Sequence, residues 1–241
     1  MRREIFTLHT CGFLPADDGH ICALNACLTS EERERAARFV FPASRRSYVL
    51  AHALLHCAIE QVIGAHEPRR FVKGKFGKPA LSSSRTDLRF SLAHAETLVA
   101  VATANGVEIG VDVESIDRKA DELTFSRVVL ASSEIEELPS FPPWCNRPIQ
   151  LWTAKEAIAK AVGLGLSLPF PSIELGGSPL RLKSLPGAVG DADVWWLKSF
   201  VDAAHWISVA APLRPAEFVH RHWTAKDLAA IMAASSSVSG L

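Results

Sequence analysis

The sequence has no net charge, no long apolar run and no paired-cysteine motif. Lys plus Arg and Asp plus Glu each number 26 in 241 residues, so no overall field indicates nucleic acid or a membrane as a partner. No apolar stretch reaches the length that spans a bilayer. The five cysteines include no Cys-x-x-Cys pair, which argues against a disulfide framework or a structural zinc site. Free thiols and a start without the apolar run of a signal peptide predict a cytoplasmic protein.

The composition is that of an ordinary soluble globular protein, with 48% hydrophobic and 22% charged residues. Charge is nevertheless uneven along the chain. Basic residues cluster in 31–46 and 69–78, and acidic residues cluster in 108–137. Such a division suits an anionic ligand together with a metal ion, although two ordinary solvated faces would give the same pattern.

Hydrophobic periodicity and end signals predict helices followed by strands, twice over. The predicted helices are 30–39, 44–63, 123–130, a short helix at 133–136, 149–162 and 225–233. The predicted strands are 4–10, 88–92, 98–102, 107–114, 173–175, 194–200 and 206–210. We therefore predict an α+β fold of two similar helix-plus-sheet halves, packed with pseudo-twofold symmetry around a cleft. The predicted units are residues 1–104, residues 105–233 and a disordered tail at 234–241.

Two acidic segments predict a metal site. In a strand, alternation puts Asp112 and Glu114 on one face, and a helix that follows offers Glu156. Convergent carboxylates favour a hard, oxygen-seeking cation such as magnesium, which commonly accompanies a phosphate-bearing ligand. Asp-x-Glu alone is weak evidence, because a solvated strand face gives the same pattern. Lys160 lies on the same helix face as Glu156, whereas Lys155 points elsewhere and is equally explained as a structural salt-bridge partner.

The chain resembles the 4′-phosphopantetheinyl transferases of the larger, surfactin-synthetase-activating type over nearly its full length. The most specific segments are Gly110-Val111-Asp112-Val113-Glu114 and Leu151-Trp152-Thr153-Ala154-Lys155-Glu156 through Lys160. Supporting segments are Gly74-Lys75-Phe76-Gly77-Lys78-Pro79, Phe90-Ser91-Leu92-Ala93-His94-Ala95 and Gly163-Leu164-Gly165-Leu166. The resemblance implies transfer of the phosphopantetheine arm of coenzyme A to a serine of an apo acyl or peptidyl carrier protein, with magnesium and release of 3′,5′-ADP. It further suggests a role in secondary metabolism. Because the two halves of one chain would form the whole cleft, it also suggests a monomer.

The resemblance also implies residue roles. Asp112, Glu114 and Glu156 would hold magnesium, with manganese as an alternative, and Glu156 would orient a metal-bound water that serves as the base. Lys160 would contact the diphosphate. The expected coenzyme A contacts are His94, Lys75, Lys78 and Pro79, with Arg46, Arg33 and Arg35 on the 3′-phosphate and Arg45 as the alternative to Arg46.

Two positions depart from the family pattern. Family members usually have serines where this chain has Ala93 and Ala95, so we expect weaker coenzyme A binding. These departures leave open a non-catalytic coenzyme A- or nucleotide-binding relative. A second alternative is an unrelated magnesium-dependent phosphohydrolase that uses the same acids. His52 and His56 are four residues apart on a helix, but no third ligand is evident, so ordinary helix-face histidines are the better interpretation than zinc ligands.

Overall fold

The computed structural model describes residues 4–64, 71–74, 76–82, 86–119 and 128–238. The strands in these ranges are β1 Ile5–Gly12, β2 Phe71–Lys73, β3 Pro79–Leu81, β4 Leu88–His94, β5 Leu98–Asn105, β6 Gly110–Ser115, β7 Glu174–Gly176, β8 Arg181–Ser184, β9 Trp196–Asp202, β10 His205–Ala211 and β11 Glu217–Thr224. The helices are α1 Asp18–Leu24, α2 Ser30–Ala37, α3 Pro42–Ile63, α4 Ser132–Glu137, α5 Arg147–Val162 and α6 Ala225–Val238. The predicted helix at 123–130 falls mostly outside the described residues.

Two sheets form the centre of the molecule. The first has strand order β11-β1-β5-β4, with β1 and β11 parallel, and the second has the antiparallel order β6-β10-β9. In β5, Val99 and Val101 pack against α3, whereas Ala100 and Ala102 pack against β6 and β10. Because α5 covers the other face of β6 and β10, the layers run helix, sheet, sheet, helix. The predicted α+β class is confirmed.

Helix α3 carries much of the first core. Its apolar residues recur every three to four positions, as on one face of a helix, and twelve of its residues are buried. It ends at Gly64, whose φ of 86° is accessible to glycine at little cost. The predicted start at residue 44 is two residues late, because Pro42 is the first residue of α3. Proline is favoured there because its fixed φ suits a first helical turn, where the missing N–H costs nothing.

Helix α2 is fixed to α3 by one buried carboxylate. A capping box begins α2, with Thr29 at the N-cap and Glu32 at N3. Glu32 also accepts hydrogen bonds from His52 at 2.7 Å and His56 at 2.8 Å. Burial opposes ionisation of Glu32, but the bonds from the two histidines hold its pKa well below the usual range. The histidine pair is thus used in a helix–helix contact.

The end of the described chain returns to the first sheet. Strand β11 pairs with β1 in parallel register, and α6 buries Leu228 and Met232 in the core beneath α3. Residues 217–238 therefore contribute to the first sheet layer, while the division at 104/105 stays a prediction. Helix α6 continues to Val238, so the predicted disorder from residue 234 is not seen up to that point. Among the described residues, every helix is too short or too polar to cross a bilayer.

Candidate active site

Strand β6 presents its acids to helix α5. Val111 and Val113 pack in the core between the two sheets. Alternation then turns Gly110, Asp112 and Glu114 toward α5. Gly110 is required at this contact, because an added Cβ would collide with the backbone of Ala157. The close approach of strand and helix brings the acids within reach of side chains on α5.

One face of α5 supplies the partners of these acids. Trp152, Glu156 and Lys160 are spaced by four residues and are each half-buried between core positions. The Lys160 ammonium donates to Asp112 Oδ1 at 2.7 Å, and Trp152 Nε1 donates to Glu114 Oε1 at 3.0 Å. Glu156 lies between these two contacts along the helix.

The site favours a bound cation. Burial raises the pKa of Asp112 to about 6, against the lowering effect of Lys160, and the charges of Glu114 and Glu156 add to the rise. Burial also raises the pKa of Glu156, again opposed by Lys160. Asp112 Oδ2 is buried without a hydrogen-bond partner. Three carboxylates with an unsatisfied buried oxygen are a donor set that fits magnesium.

The acids are nevertheless drawn toward protein cations. Arg118 pairs with Glu114, and Lys160 pairs with Asp112. In the described part of the chain, Asp112, Glu114 and Glu156 do not bring one ligand atom each within 4.8 Å of one another. Side-chain rotation would therefore be needed for Asp112, Glu114 and Glu156 to share one ion.

His94 lies in the cleft beside Glu114. This cleft has a volume of about 680 Å³ and is also lined by Ser115, Arg118 and residues at the start of α3. Burial lowers the pKa of His94, and the charge of Lys160 lowers it further, while Glu114 opposes the change. The imidazole is thus in the electrostatic field of the acids and the lysine, which sequence reasoning assigned to the same site.

Lys78 and Pro79 line a second, smaller cavity of about 220 Å³, which Lys160 also lines. Lys78 Nζ donates to Glu108 Oε2 at 2.6 Å, to Ile109 O at 3.1 Å and to Ala161 O at 3.2 Å. All three ammonium protons are therefore used within the chain. Lys75 lies outside the described residues.

The three predicted phosphate arginines are not among the residues that line the His94 cleft. Arg46 pairs with Asp18 at 3.3 Å. Arg33 donates to Leu28 O at 2.6 Å, and the Arg35 guanidinium lies 5.7 Å from the centroid of the Tyr48 ring. Binding a phosphate would require these side chains to leave their present contacts.

One of the two family departures, Ala95, has another hydroxyl beside it. The Ser91 hydroxyl accepts from Val111 N at 3.1 Å, which joins β4 to β6. Ala95 lines the His94 cleft, and its carbonyl accepts from the Ser47 hydroxyl at 3.2 Å. Ser47 thus places a hydroxyl beside the position of one missing family serine.

Sequence reasoning assigned no role at this site to Arg118, Trp152 or Ser47. The spacing of Trp152 from Glu156 could have indicated its position, because residues four apart share a helix face. Arg118 follows Glu114 in a turn after β6, and Ser47 lies on another element, so neither had a signal at short range.

Residues 108–185 match the model of the 4′-phosphopantetheinyl transferase superfamily. The chain is 28% identical to the 4′-phosphopantetheinyl transferase HetI of Nostoc sp. over 78% of this chain and 79% of that protein. It is 24% identical to a 4′-phosphopantetheinyl transferase of Bacillus subtilis over 67% of this chain and 71% of that one. The matched segment contains β6 and α5, which carry the acids. That segment therefore resembles the 4′-phosphopantetheinyl transferase superfamily, and two thirds or more of the chain is similar to proteins named as such transferases.

Proposed function

We propose that this protein transfers the 4′-phosphopantetheine arm of coenzyme A to a serine of an apo acyl or peptidyl carrier protein, releasing 3′,5′-ADP, with magnesium as the metal. One observation carries the proposal. The facing surfaces of β6 and α5 gather Asp112, Glu114, Glu156 and Lys160 beside the cleft that contains His94.

The reaction needs charge neutralisation and alignment more than covalent help. The serine oxygen forms a bond to the β-phosphorus, the bond to the bridging oxygen breaks, and 3′,5′-ADP leaves with that oxygen. A magnesium or manganese ion on Asp112, Glu114 and Glu156 would neutralise diphosphate charge. Lys160, freed from Asp112, supplies a cation for the leaving phosphate. Glu156, whose pKa is raised by burial, orients the water that receives the serine proton.

The coenzyme A contacts follow from this arrangement. His94 donates to a phosphate oxygen from the rim of the cleft. Lys75, Lys78 and Pro79 contact the nucleotide, and the 3′-phosphate is held by Arg46, Arg33 and Arg35. Arginine suits that last role because its planar fork pairs with two phosphate oxygens at once.

We also propose that the chain acts as a monomer in the cytoplasm and belongs to the larger, surfactin-synthetase-activating type. Both sheet layers and the acid site come from one chain. The described cysteines are free thiols, which agrees with a reducing compartment.

The test is a transfer assay. The protein is incubated with magnesium, coenzyme A and a panel of apo acyl and peptidyl carrier proteins. The mass of each carrier is then measured by mass spectrometry. We expect a gain of one phosphopantetheine on at least one carrier. Asp112→Asn and Lys160→Met should lose the gain, while Glu136→Gln and Lys226→Met, on exposed sites away from the cleft, should keep it. No gain on any carrier would reject the proposal.

The departures at Ala93 and Ala95 favour one other candidate, a relative that binds coenzyme A without transferring it. Calorimetry separates the two, because that candidate binds coenzyme A yet leaves every carrier unmodified. Phosphate release from simple esters without a carrier would instead indicate a phosphohydrolase.

A further inference from the structure

Strands β9 and β11 face each other across the two sheets and pair their side chains in register. The Lys198 ammonium lies 4.4 Å from the centroid of the Phe218 ring. The rings of Phe200 and His220 meet edge to face, with centroids 5.4 Å apart. One step further along, His222 Nδ1 lies 3.4 Å from Asp202 Oδ2. Period-two alternation thus aligns three pairs, and the last pair consists of metal-ligand residue types.

The last pair is part of a compact three-residue group. Asp202, His220 and His222 each offer one ligand atom within 4.8 Å of the others. His220 Nε2 lies 3.9 Å from Asp202 Oδ2, and the two imidazole centroids are 4.0 Å apart. Tetrahedral zinc with bonds of about 2.0–2.1 Å separates its ligand atoms by about 3.4 Å. The present distances need only a small closure to reach that value.

The donor set selects the class of metal. Two imidazoles and one carboxylate suit zinc and similar transition metals, whereas magnesium prefers oxygen ligands alone. Asp202 and His220 are partly buried, while the His222 side chain is 63% exposed. An ion could therefore enter from the His222 side and keep a solvent ligand.

A buried hydroxyl lies against the group on its inner side. Thr10 on β1 is 2% exposed. Its Oγ1 lies 2.9 Å from His220 Nε2 and 3.4 Å from His222 Nδ1. The β1–β11 register, which pairs Thr10 with His222, fixes this arrangement. These are the same two nitrogens that lie toward Asp202, so an ion that binds them must replace their hydrogen bonds to Thr10 or take the hydroxyl as a further oxygen ligand.

The group is distinct from the acid site on α5. The registers align Asp202 with His205 and Ser115, and align Ser199 with Ser208 and Asp112. Because alternate residues point to opposite faces, Asp202 points toward the first sheet and Asp112 toward α5.

We propose that Asp202, His220 and His222 bind one zinc-class transition-metal ion, which joins β9 of the second sheet to β11 of the first. The three residues are separated in sequence and meet only in the folded chain. The ion therefore binds the folded state in preference to the unfolded state and stabilises it.

The test uses the full chain after removal of metal ions. Zinc is titrated into it in the presence of a chromogenic chelator, whose competition for zinc gives the affinity of the protein. The background carries Cys22→Ser and Asp112→Asn, so that the exposed thiol and the acid site do not compete. We expect one tight equivalent of zinc and a rise in the unfolding temperature with zinc concentration. Long-range proton–nitrogen spectra should show zinc-dependent shifts at His220 Nε2 and His222 Nδ1.

The variants decide the assignment. His222→Ala and Asp202→Asn change side chains with access to solvent, and each should weaken zinc binding by more than about tenfold and remove the zinc-dependent rise. His20→Ala, at an exposed position on α1, should behave as the background protein. His220→Ala should match His222→Ala where it folds. Equal zinc affinity in the background protein, His222→Ala and Asp202→Asn would overturn the proposal, as would no tight equivalent in the background protein.

Discussion

At the scale of single residues, Asp112 has two oxygens in unequal surroundings. Oδ1 accepts from Lys160, while Oδ2 is buried without a partner. Burial therefore favours the protonated form, and the pKa rises from 3.8 to about 6. In the metal-free protein, the raised pKa of Asp112 makes the free energy of unfolding fall as pH rises from about 4 to about 6. In that range the folded state binds more protons than the unfolded state.

A metal on Asp112 must compete with that proton. The carboxyl is mostly ionised at pH 7 and mostly protonated at pH 5, so the apparent affinity for magnesium should fall about eightfold to tenfold between these values. Magnesium titrations of the transfer rate from pH 5 to pH 8 measure it. Glu136→Gln should show the same profile. An affinity for magnesium that stays constant between pH 5 and pH 7 would contradict the role of Asp112.

Lys155 is a buried charge that, unlike Asp112, has hydrogen-bond partners on every side. Its ammonium is fully buried and donates to Glu134 Oε2 at 2.6 Å, Val129 O at 2.8 Å and Phe170 O at 3.0 Å. Burial lowers the pKa of Lys155, and Glu134 opposes that change. Of the two roles that the sequence left open, the structure supports the salt bridge.

Lys155→Met should lower the free energy of unfolding by about 3–5 kcal/mol, because Glu134 is left buried without its cation. Denaturant titration measures the loss. Adding Glu134→Gln should recover part of it, since the uncompensated charge is removed. A loss below about 1 kcal/mol in the single variant would show that the pair contributes little.

The acids of the site could be predicted because their spacing obeys local rules. Strand alternation joins Asp112 to Glu114, and helical spacing joins Glu156 to Lys160. The partners that neutralise them could not be predicted in the same way. Lys78, for example, donates to Glu108 and to two carbonyl groups. These contacts form only where three elements meet in the folded chain, and no short-range sequence pattern predicts that meeting.

At the scale of elements, the approach of β6 to α5 depends on Gly110. Its position leaves no room for a Cβ beside the Ala157 carbonyl and the Ala161 nitrogen. Any side chain must push the helix away from the strand. The helix carries Glu156 and Lys160, so the strand's acids would then lose their partners.

Gly110→Ala should reduce transfer by about a hundredfold, since a displacement near 1 Å is enough to misalign the reacting groups. It should also cost about 1–3 kcal/mol of stability from overpacking. Gly19→Ala is the matched control, because an added Cβ there meets nothing within 4 Å. Steady-state rates and denaturant titrations test both. Full activity in Gly110→Ala would contradict the close-contact argument.

The turn between β9 and β10 is built from two alanines in left-handed conformations. Ala203 has a φ of 46° and Ala204 has a φ of 60°. Two-residue hairpin turns favour Asn-Gly at such positions, because these residues tolerate positive φ. The turn also fixes the end of β9, where Asp202 lies.

Replacing Ala203-Ala204 with Asn-Gly should raise the free energy of unfolding by about 1 kcal/mol, through relief of left-handed strain. Ala204→Val should lower it, because a β-branched residue is least tolerated at positive φ. Thermal and denaturant unfolding measure both changes. Equal stability of all three proteins would show that the turn is not strained.

The long helices could be predicted from sequence, whereas β11 could not. Helices α3 and α5 have apolar positions at helical spacing and a glycine at the end. Strand β11 reads Glu-Phe-Val-His-Arg-His-Trp-Thr, with polar residues on both faces. It is a strand because it lies parallel to β1, more than 200 residues earlier, and sequence periodicity carries no information about so distant a partner.

At the scale of the whole molecule, Lys78 connects parts that are far apart in the chain. The loop before β3 holds the lysine, Glu108 and Ile109 precede β6, and Ala161 is near the end of α5. Burial lowers the pKa of Lys78, and its hydrogen bond to the Glu108 carboxylate opposes that change. The lysine therefore holds α5 and the entry to β6 in place beside the first sheet, in addition to its proposed contact with the nucleotide.

Lys78→Met separates these two roles. Loss of the connection should lower the free energy of unfolding by about 1–3 kcal/mol, because three hydrogen bonds are removed, two of them partly buried. Loss of a nucleotide contact should instead raise KM for coenzyme A. We expect the stability loss to be the larger effect, since the ammonium has no free proton. Lys73→Met, at an exposed position on β2, is the control for charge. Unchanged unfolding together with a raised KM would show that Lys78 serves the ligand and not the fold.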